Sequence, residues 1–305
     1  MENNWKVTFE RNGPEGERIA IEKKFRWGNY GVFIPAIYLF EEGLVLDICL
    51  EADKEKTAAF IEKWKDTLVR MPTEQERRSI EAENPLMLRY SRRLWVNGVE
   101  LKRANGHGSS HIPTDILPEN LRTEEKPAFV EGLGLDEDHV WAWMQMRYFW
   151  EGEKPEKIES IDLELRQDPV DCLAESFVMP SIGESMTLTH PKTGAVHTLT
   201  VTDIRREQVK LPPNPDTVYP ENVIIMAYET EPRLSRKAFY LTDTEESDVP
   251  KKLNQSGSSG GTFGMILRNP ENCAVSSAHF EPKDTVTWQA VFLEKDMEDA
   301  AVKLL

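Results

Sequence analysis

Cysteine is scarce in this chain of 305 residues: Cys49, Cys172 and Cys273 lie far apart and are odd in number. That excludes a disulfide framework and a cysteine-built metal knot. Cys49, inside the apolar run Leu46-Asp47-Ile48-Cys49-Leu50, reads as a small buried thiol, and a reducing cytoplasm is the expected compartment. Long apolar runs are missing as well, since none approaches the roughly 20 residues a membrane helix requires. Met1–Lys6 shows no basic segment followed by an apolar one, so neither a secretory leader nor a membrane span is expected. Positive charge is in short supply, with 37 Lys and Arg against 53 Asp and Glu, a net of −16. Residues 1–152 hold 21 against 27 and residues 153–305 hold 16 against 26. Neither half has the cationic surplus that displaces phosphate counterions, which disfavours nucleic acid as a partner. The surplus of acid favours solubility.

Several chemical signatures are absent. There is no phosphate-cradling glycine loop ending in Lys-Ser/Thr, no dinucleotide fingerprint and no His-Glu-x-x-His. A lipase-like serine pattern can be laid over Gly257-Ser258-Ser259-Gly260-Gly261, but it lacks the strand and helix that make such a serine reactive.

What is present is an ordinary globular composition, 39% hydrophobic and 30% charged, with recurring strand signals. Trp5–Phe9, Arg18–Phe25, Gly31–Leu39 and Leu44–Leu50 read as strands. Asp53 reads as the cap of a helix with Phe60, Ile61, Trp64 and Leu68 on one stripe. Thr73-Glu74-Gln75-Glu76 has capping-box spacing and opens a second helix that stops before Asn84-Pro85. Asn97-Gly98 marks a type I′ hairpin. The charged stretch Glu151–Lys157 is the expected domain boundary, between residues 1–152 and 157–305. Downstream, strand runs recur at Ile158–Leu165, Cys172–Met179, Thr187–Val201, Asn222–Glu229, Lys237–Leu241, Cys273–Phe280 and Val286–Leu293. Asp296–Leu304 reads as an amphipathic helix, and Asp243–Gly261 as a surface loop. The expected fold is therefore β-rich α+β: an N-terminal antiparallel sheet domain with a helical pair, and a C-terminal antiparallel β-sandwich or jelly-roll-like domain.

Two constellations carry candidate chemistry. Read as a strand, Trp141–Trp150 divides into a core face of Ala142, Met144, Met146, Tyr148 and Trp150 and a second face of Trp141, Trp143, Gln145, Arg147 and Phe149. Flat aromatics interleaved with Gln and Arg suit a sugar ring, a peptide or a partner protein; the alternative is packing against the second domain. The other constellation is the hairpin around Pro191-Lys192-Thr193-Gly194. If Thr193-Gly194 lies at its centre, His190 faces His197 at about 5 Å, close enough to share a metal. If Lys192-Thr193 is central, His190 faces Ala195 and the pair is lost, leaving hairpin-tip side chains in solvent. His279, with Glu281 nearby, is the candidate third ligand. His107 and His111 share helical spacing, but the glycines and serines between them read as a loop. His139 after Asp136-Glu137-Asp138 reads as structural or solvent-facing. Arg89, Arg92, Arg93, Lys102 and Arg103 gather around the Asn97-Gly98 hairpin and read as partners of neighbouring carboxylates or as a grip for an anion.

Several stretches resemble an uncharacterised two-part family of bacterial proteins, mostly from anaerobic Gram-positive bacteria. They are Arg26-Trp27-Gly28 to Tyr38, Gly43–Asp47, Phe60 to Trp64, His190-Pro191 to Val201, and Ala278–Pro282 to Trp288. The resemblance spans nearly the whole chain and implies a bacterial cytoplasmic protein whose two halves occur together. It carries no activity and no catalytic residues. The expectation is a non-catalytic binding or interaction protein without a cofactor, using Trp141, Trp143, Gln145 and Arg147 or a cleft between the halves. The rivals are a metal-dependent, hydrolase-like enzyme with a divalent transition metal on His190, His197 and His279, and an acidic inhibitor or immunity-type partner of a basic protein.

Overall fold

Local signals set the element boundaries of the first half. In the computed structural model, which describes residues 6–10, 13–122, 126–209, 216–252 and 272–305, the chain opens with β1 (Glu17–Trp27), β2 (Tyr30–Leu39) and β3 (Gly43–Ala52). The Asp53 side chain then accepts from the backbone N–H of Lys56 and starts α1 (Lys54–Leu68). Phe60 and Ile61 of its stripe are buried, while Leu68 ends 38% exposed. Thr73 and Glu76 bond reciprocally, side chain to backbone N–H, at the head of α2 (Glu74–Glu83). Next come β4 (Tyr90–Val96), β5 (Val99–Glu100), β6 (Lys102–His111), α3 (Ala128–Gly132), β7 (Val140–Phe149) and β8 (Ile161–Gln167). Asn97 and Gly98, at φ 50° and 79°, turn β4 into β5, as a type I′ hairpin requires. The second half contributes β9 (Val170–Val178), β10 (Ser185–Thr189), β11 (Val196–Gln208), β12 (Thr217–Val218) and β13 (Asn222–Glu231). It ends with β14 (Phe239–Asp243), β15 (Lys251–Lys252), β16 (Cys273–Val275), β17 (Thr287–Glu294) and β18 (Ala300–Lys303).

The chain divides into two compact units. The first holds residues 1–71, 83–169 and 295–305; the second holds 72–82 and 170–294. The polar stretch Glu151–Lys157 therefore lies inside the first unit. The physical reason is hydrogen bonding: β8 pairs with β4 over Tyr90–Val96, and β18 pairs with β8, so both strands beyond that stretch complete the first unit's second sheet. The helical pair is likewise split, α1 belonging to the first unit and nearly all of α2 to the second.

Each unit is β-rich. In the first, the sheet β1-β2-β3-β7-β6 faces the sheet β18-β8-β4-β5. Val32, Ile34, Leu46, Ile48 and Tyr148 from one meet Leu94, Val96, Ile161, Leu163 and Leu165 from the other in a common core. In the second, β10-β11-β13-β16 and β14-β17-β9 share a core built from Leu188, Leu199, Val201 and Met226 on one side and Phe239, Trp288 and Phe292 on the other. The result is the antiparallel, β-rich α+β fold expected, with a sandwich in the second unit.

Four local expectations are corrected. Asp296–Leu304 is not a helix: Ala300–Lys303 is a strand, and Leu304 is buried in the first core. Its apolar spacing suits either element at this length, and pairing with β8 decides. His107 and His111 sit on strand β6 rather than in a loop, because pairing with β7 supplies the order that glycines and serines lack locally. Of Trp5–Phe9, the described part makes only an isolated bridge, Thr8 to Glu15. The loop expected over 243–261 is described only to residue 252, where β15 pairs with β12; Gly257–Gly261 lies outside the described residues.

Ending the chain at residue 299 removes β18 and the buried Leu304. The first unit is expected to lose about 1.5–3 kcal/mol, the worth of one buried leucine. Urea unfolding followed by tryptophan fluorescence measures it; an unchanged midpoint would contradict the role given to β18.

Candidate functional site: a polar row reaching an open strand edge

β3 reads Gly-Leu-Val-Leu-Asp-Ile-Cys-Leu from residue 43 to 50, and every one of these residues is buried. A strand covered on only one face alternates, so this run requires cover on both. The inner face meets the second sheet of the unit. The outer face is covered at one end by Val7, Phe9 and Phe40 over Tyr38 and Val45. At the other end Phe129 and Val130 of α3 cover Cys49, Trp141 and Trp143.

Between these covers the outer face is polar, and the antiparallel register orders it in rows across three strands. Glu51, Trp141 and His111 form one row; Cys49, Trp143 and Ser109 the next; Asp47, Gln145 and His107 the third. Arg147 follows, opposite Val45. All four residues proposed from the sequence as a binding face thus lie together on it, but not as an open aromatic surface. Trp141 and Trp143 are 7% and 6% exposed. Trp143 stacks on Phe129 with centroids 5.2 Å apart, and Trp141 donates its Nε1–H to the Asp136 carbonyl at 2.7 Å. The cover comes from within the unit.

The third row matters most. Asp47 is fully buried, and its Oδ1 accepts from Trp143 Nε1 at 3.0 Å and from Gln145 Nε2 at 3.0 Å. Taking a carboxylate out of water costs several kcal/mol, and hydrogen bonds to the ion are what offset it. Its field reaches its neighbours. Burial, and then Asp47, push the Tyr38 phenol up to about 12, and the same two causes push the Cys49 thiol well up. The row leaves the interior at Gln145, which is 4% exposed, and ends at His107 in solvent. The His107 ring meets Trp143 edge-on at 5.1 Å. Partial burial, and then the charge of Arg147, lower the His107 pKa.

His107 belongs to β6, the last strand of its sheet. Gly106–Ser110 pair regularly with β7 on one side, and all five residues are exposed. Gly106 and Gly108 are required by the sheet itself: a Cβ would lie 2.7 Å from the Gln145 carbonyl oxygen at one and from the Trp143 carbonyl oxygen at the other. β6 has a bulge of its own between Arg103 and Gly106, at the end that carries Lys102 and Arg103; the opposite edge strand, β1, differs in carrying charge at and beyond its bulge. It carries a bulge between Ala20 and Lys23, Glu22 at φ 51°, and exposed Glu22, Lys23 and Lys24, devices that discourage strand pairing.

The histidines of the second unit are placed differently from the metal expectation. The hairpin takes the register that puts His190 opposite Ala195, the His190 N–H donating to the Ala195 carbonyl at 2.8 Å; His197 faces Leu188. Neither histidine is a solvent-facing tip, at 8% and 9% exposed, because both rings lie against Phe292. His190 Nδ1 accepts from the backbone N–H groups of Lys192 and Thr193, and its Nε2 lies 2.9 Å from Glu294 Oε1. The ring therefore organises the turn. His279 sits elsewhere, with Nδ1 3.3 Å from Asp248 Oδ1. It borders a cavity of about 120 Å³ beside Arg206, Gln208, Asn222 and Lys283. There Lys283 is paired with Glu245, and Asn222 donates to the His279 and Phe280 carbonyls. Among the described residues no group of three or more His, Cys, Asp and Glu is arranged to hold a metal. His139 pairs with Glu51 at 2.7 Å, a structural contact, and Arg93 pairs with Glu100 and Glu164, as expected of a cation among carboxylates.

Sequence reasoning missed Asp47 and β6. A single charge inside an unbroken apolar run was the available signal for Asp47. β6 gave none, because its strand character comes from its neighbour.

Fold and site together define a β-rich α+β protein with a polar row leading to a sheet edge that no strand among the described residues pairs with. No family model matches the chain, and no curated protein or solved structure matches it either.

Asp47→Ala leaves the buried Trp143 and Gln145 donors without this acceptor and is expected to destabilise the first unit by about 2–5 kcal/mol. Asp47→Asn keeps an acceptor at the same place and should cost clearly less. Equal losses in urea unfolding would show that the carboxylate's hydrogen bonds are not what holds the row. In the second unit, His190→Ala is expected to cost about 1–3 kcal/mol by stranding two turn N–H groups. His190→Asn, which can accept from the same groups, should recover part of it.

Proposed function

We propose that this chain is a non-catalytic interaction protein whose recognition element is the outer face and free edge of the first unit's sheet. The observation that carries this reading is β6: its bulge and its two cations, Lys102 and Arg103, sit at one end, and beyond them Gly106–Ser110 are five consecutive exposed, regularly paired edge residues without the acidic and basic side chains of β1. An unguarded edge is a liability in solution, and its retention fits a strand kept open for a partner. Behind it, buried Asp47 accepts from Trp143 and Gln145 of β7, the strand on which Gly106–Ser110 pair. Cysteines that form no disulfide accord with a cytoplasmic setting, and the sequence resemblance supports a bacterial one. No helix among the described residues is long and apolar enough to cross a membrane.

Peptide-display selection against the full chain tests this reading. Selected ligands are expected to shift the backbone amide resonances of Gly106–Ser110 and the Trp143 indole N–H, and to be recovered chemically unchanged. Ligands that map instead around Asn222 and His279, or that are converted on the protein, would overturn it.

A further inference from the structure

The charge along β6 says what kind of partner its edge fits. Lys102 and Arg103 open the strand, both exposed, and neither forms an ion pair among the described residues. Most other cations of this unit near an acid are engaged: Arg93 with Glu100, Arg166 with Glu164, Lys54 with Asp115. From Ala104 to His111 the strand holds no acidic residue and no proline, and a bulge between Arg103 and Gly106 separates the two cations from the regularly paired stretch Gly106–Ser110. Its inner-face positions, Gly106, Gly108 and Ser110, are nearly without side chains, and beside them the half-buried Met144 of β7 remains partly open.

Resting on the interaction reading above, we infer that β6 takes up an extended acidic peptide as an added antiparallel strand. Its carboxylates lie beside Lys102 and Arg103, and small apolar side chains lie beside Gly106 and Gly108. Antiparallel addition continues the pattern of the whole sheet and pairs slightly better per residue than parallel addition. It brings the C-terminal part of the peptide to Lys102 and Arg103, so that end is the acidic one. The net charge of −16 does not forbid this. At physiological salt the screening length is about 8 Å, so the local cations govern recognition and distant acids are muted. The same net charge opposes the rival occupant, β6 of a second copy, since two such chains repel as they approach.

Fluorescence anisotropy on the full chain tests it, with labelled ten-residue peptides alternating Val and Thr and carrying Glu, Gln or Lys at the C-terminal third. A fourth peptide carries Glu and is N-methylated on alternate amides. The Glu peptide is expected to bind and to shift the amides of Gly106–Ser110. The Gln version should bind about three- to tenfold more weakly, as two exposed ion pairs allow, and the Lys version more weakly still. The double variant Lys102→Gln/Arg103→Gln should bring the Glu and Gln peptides to equal affinity, and N-methylation should abolish binding.

Equal binding of Glu and Gln peptides at β6 overturns the acidic partner and leaves the interaction reading standing. Binding that survives N-methylation, or that leaves Gly106–Ser110 unshifted, overturns strand addition at β6 itself, as does failure of all four peptides to bind. Concentration-dependent dimerisation that protects the Gly106–Ser110 amides from hydrogen exchange would replace the peptide with a second copy.

Discussion

A carboxylate sealed from water in the middle of a strand sets the terms for the first unit. Asp47 sits where β3 is covered on both faces, and it stays there because Trp143 and Gln145 of the neighbouring strand donate to it. A one-residue slip between β3 and β7 would turn both donors to the inner, apolar face and strand the charge, so the register of these two strands is fixed by more than hydrophobic fit. Everything outward follows from that register. Gln145 faces His107, Trp143 faces Ser109, and beyond its bulge β6 pairs regularly along β7 although its own sequence offers little to hold it.

The two edges of this sheet are treated oppositely. Both carry a bulge, but β1 is studded with charge along its length, whereas β6 beyond its bulge, from Gly106 to Ser110, is regularly paired and holds no acidic residue, lysine or arginine. The glycines that leave it bare are imposed by close approach to β7, so backbone access at this edge is a by-product of the packing that orders the strand. The second unit solves a different problem with similar means. His190 and His197 close one end of its core against Phe292, and the imidazole of His190 supplies hydrogen bonds that a four-residue turn cannot make for itself.

Much of the local structure was legible because its causes are local. Asp53 and the Thr73–Glu76 pair cap their helices through bonds spanning three residues, and Asn97-Gly98 adopts the positive φ angles that its residue types tolerate. The division of Trp141–Trp150 into two faces followed from strand periodicity alone. The exposure of the second face did not, because the segment around Phe9 is distant in sequence and α3, although it directly precedes β7, covers that face only by folding back over it. The hairpin at His190 left two registers open, and its cross-strand hydrogen bonds selected the one that separates the histidines.

The sequence by itself determined the class of the fold, the positions of its turns and caps, the two faces of β7 and the shortage of positive charge. These depend on residue type and on spacing within a few positions. Only the tertiary structure decided that β8 and β18 complete the first unit, that Asp296–Leu304 is no helix, that Trp141 and Trp143 are buried, and that β6 is the edge strand of its sheet among the described residues. Each of those outcomes depends on which distant segment lies alongside, and periodicity along one strand carries no information about its neighbour.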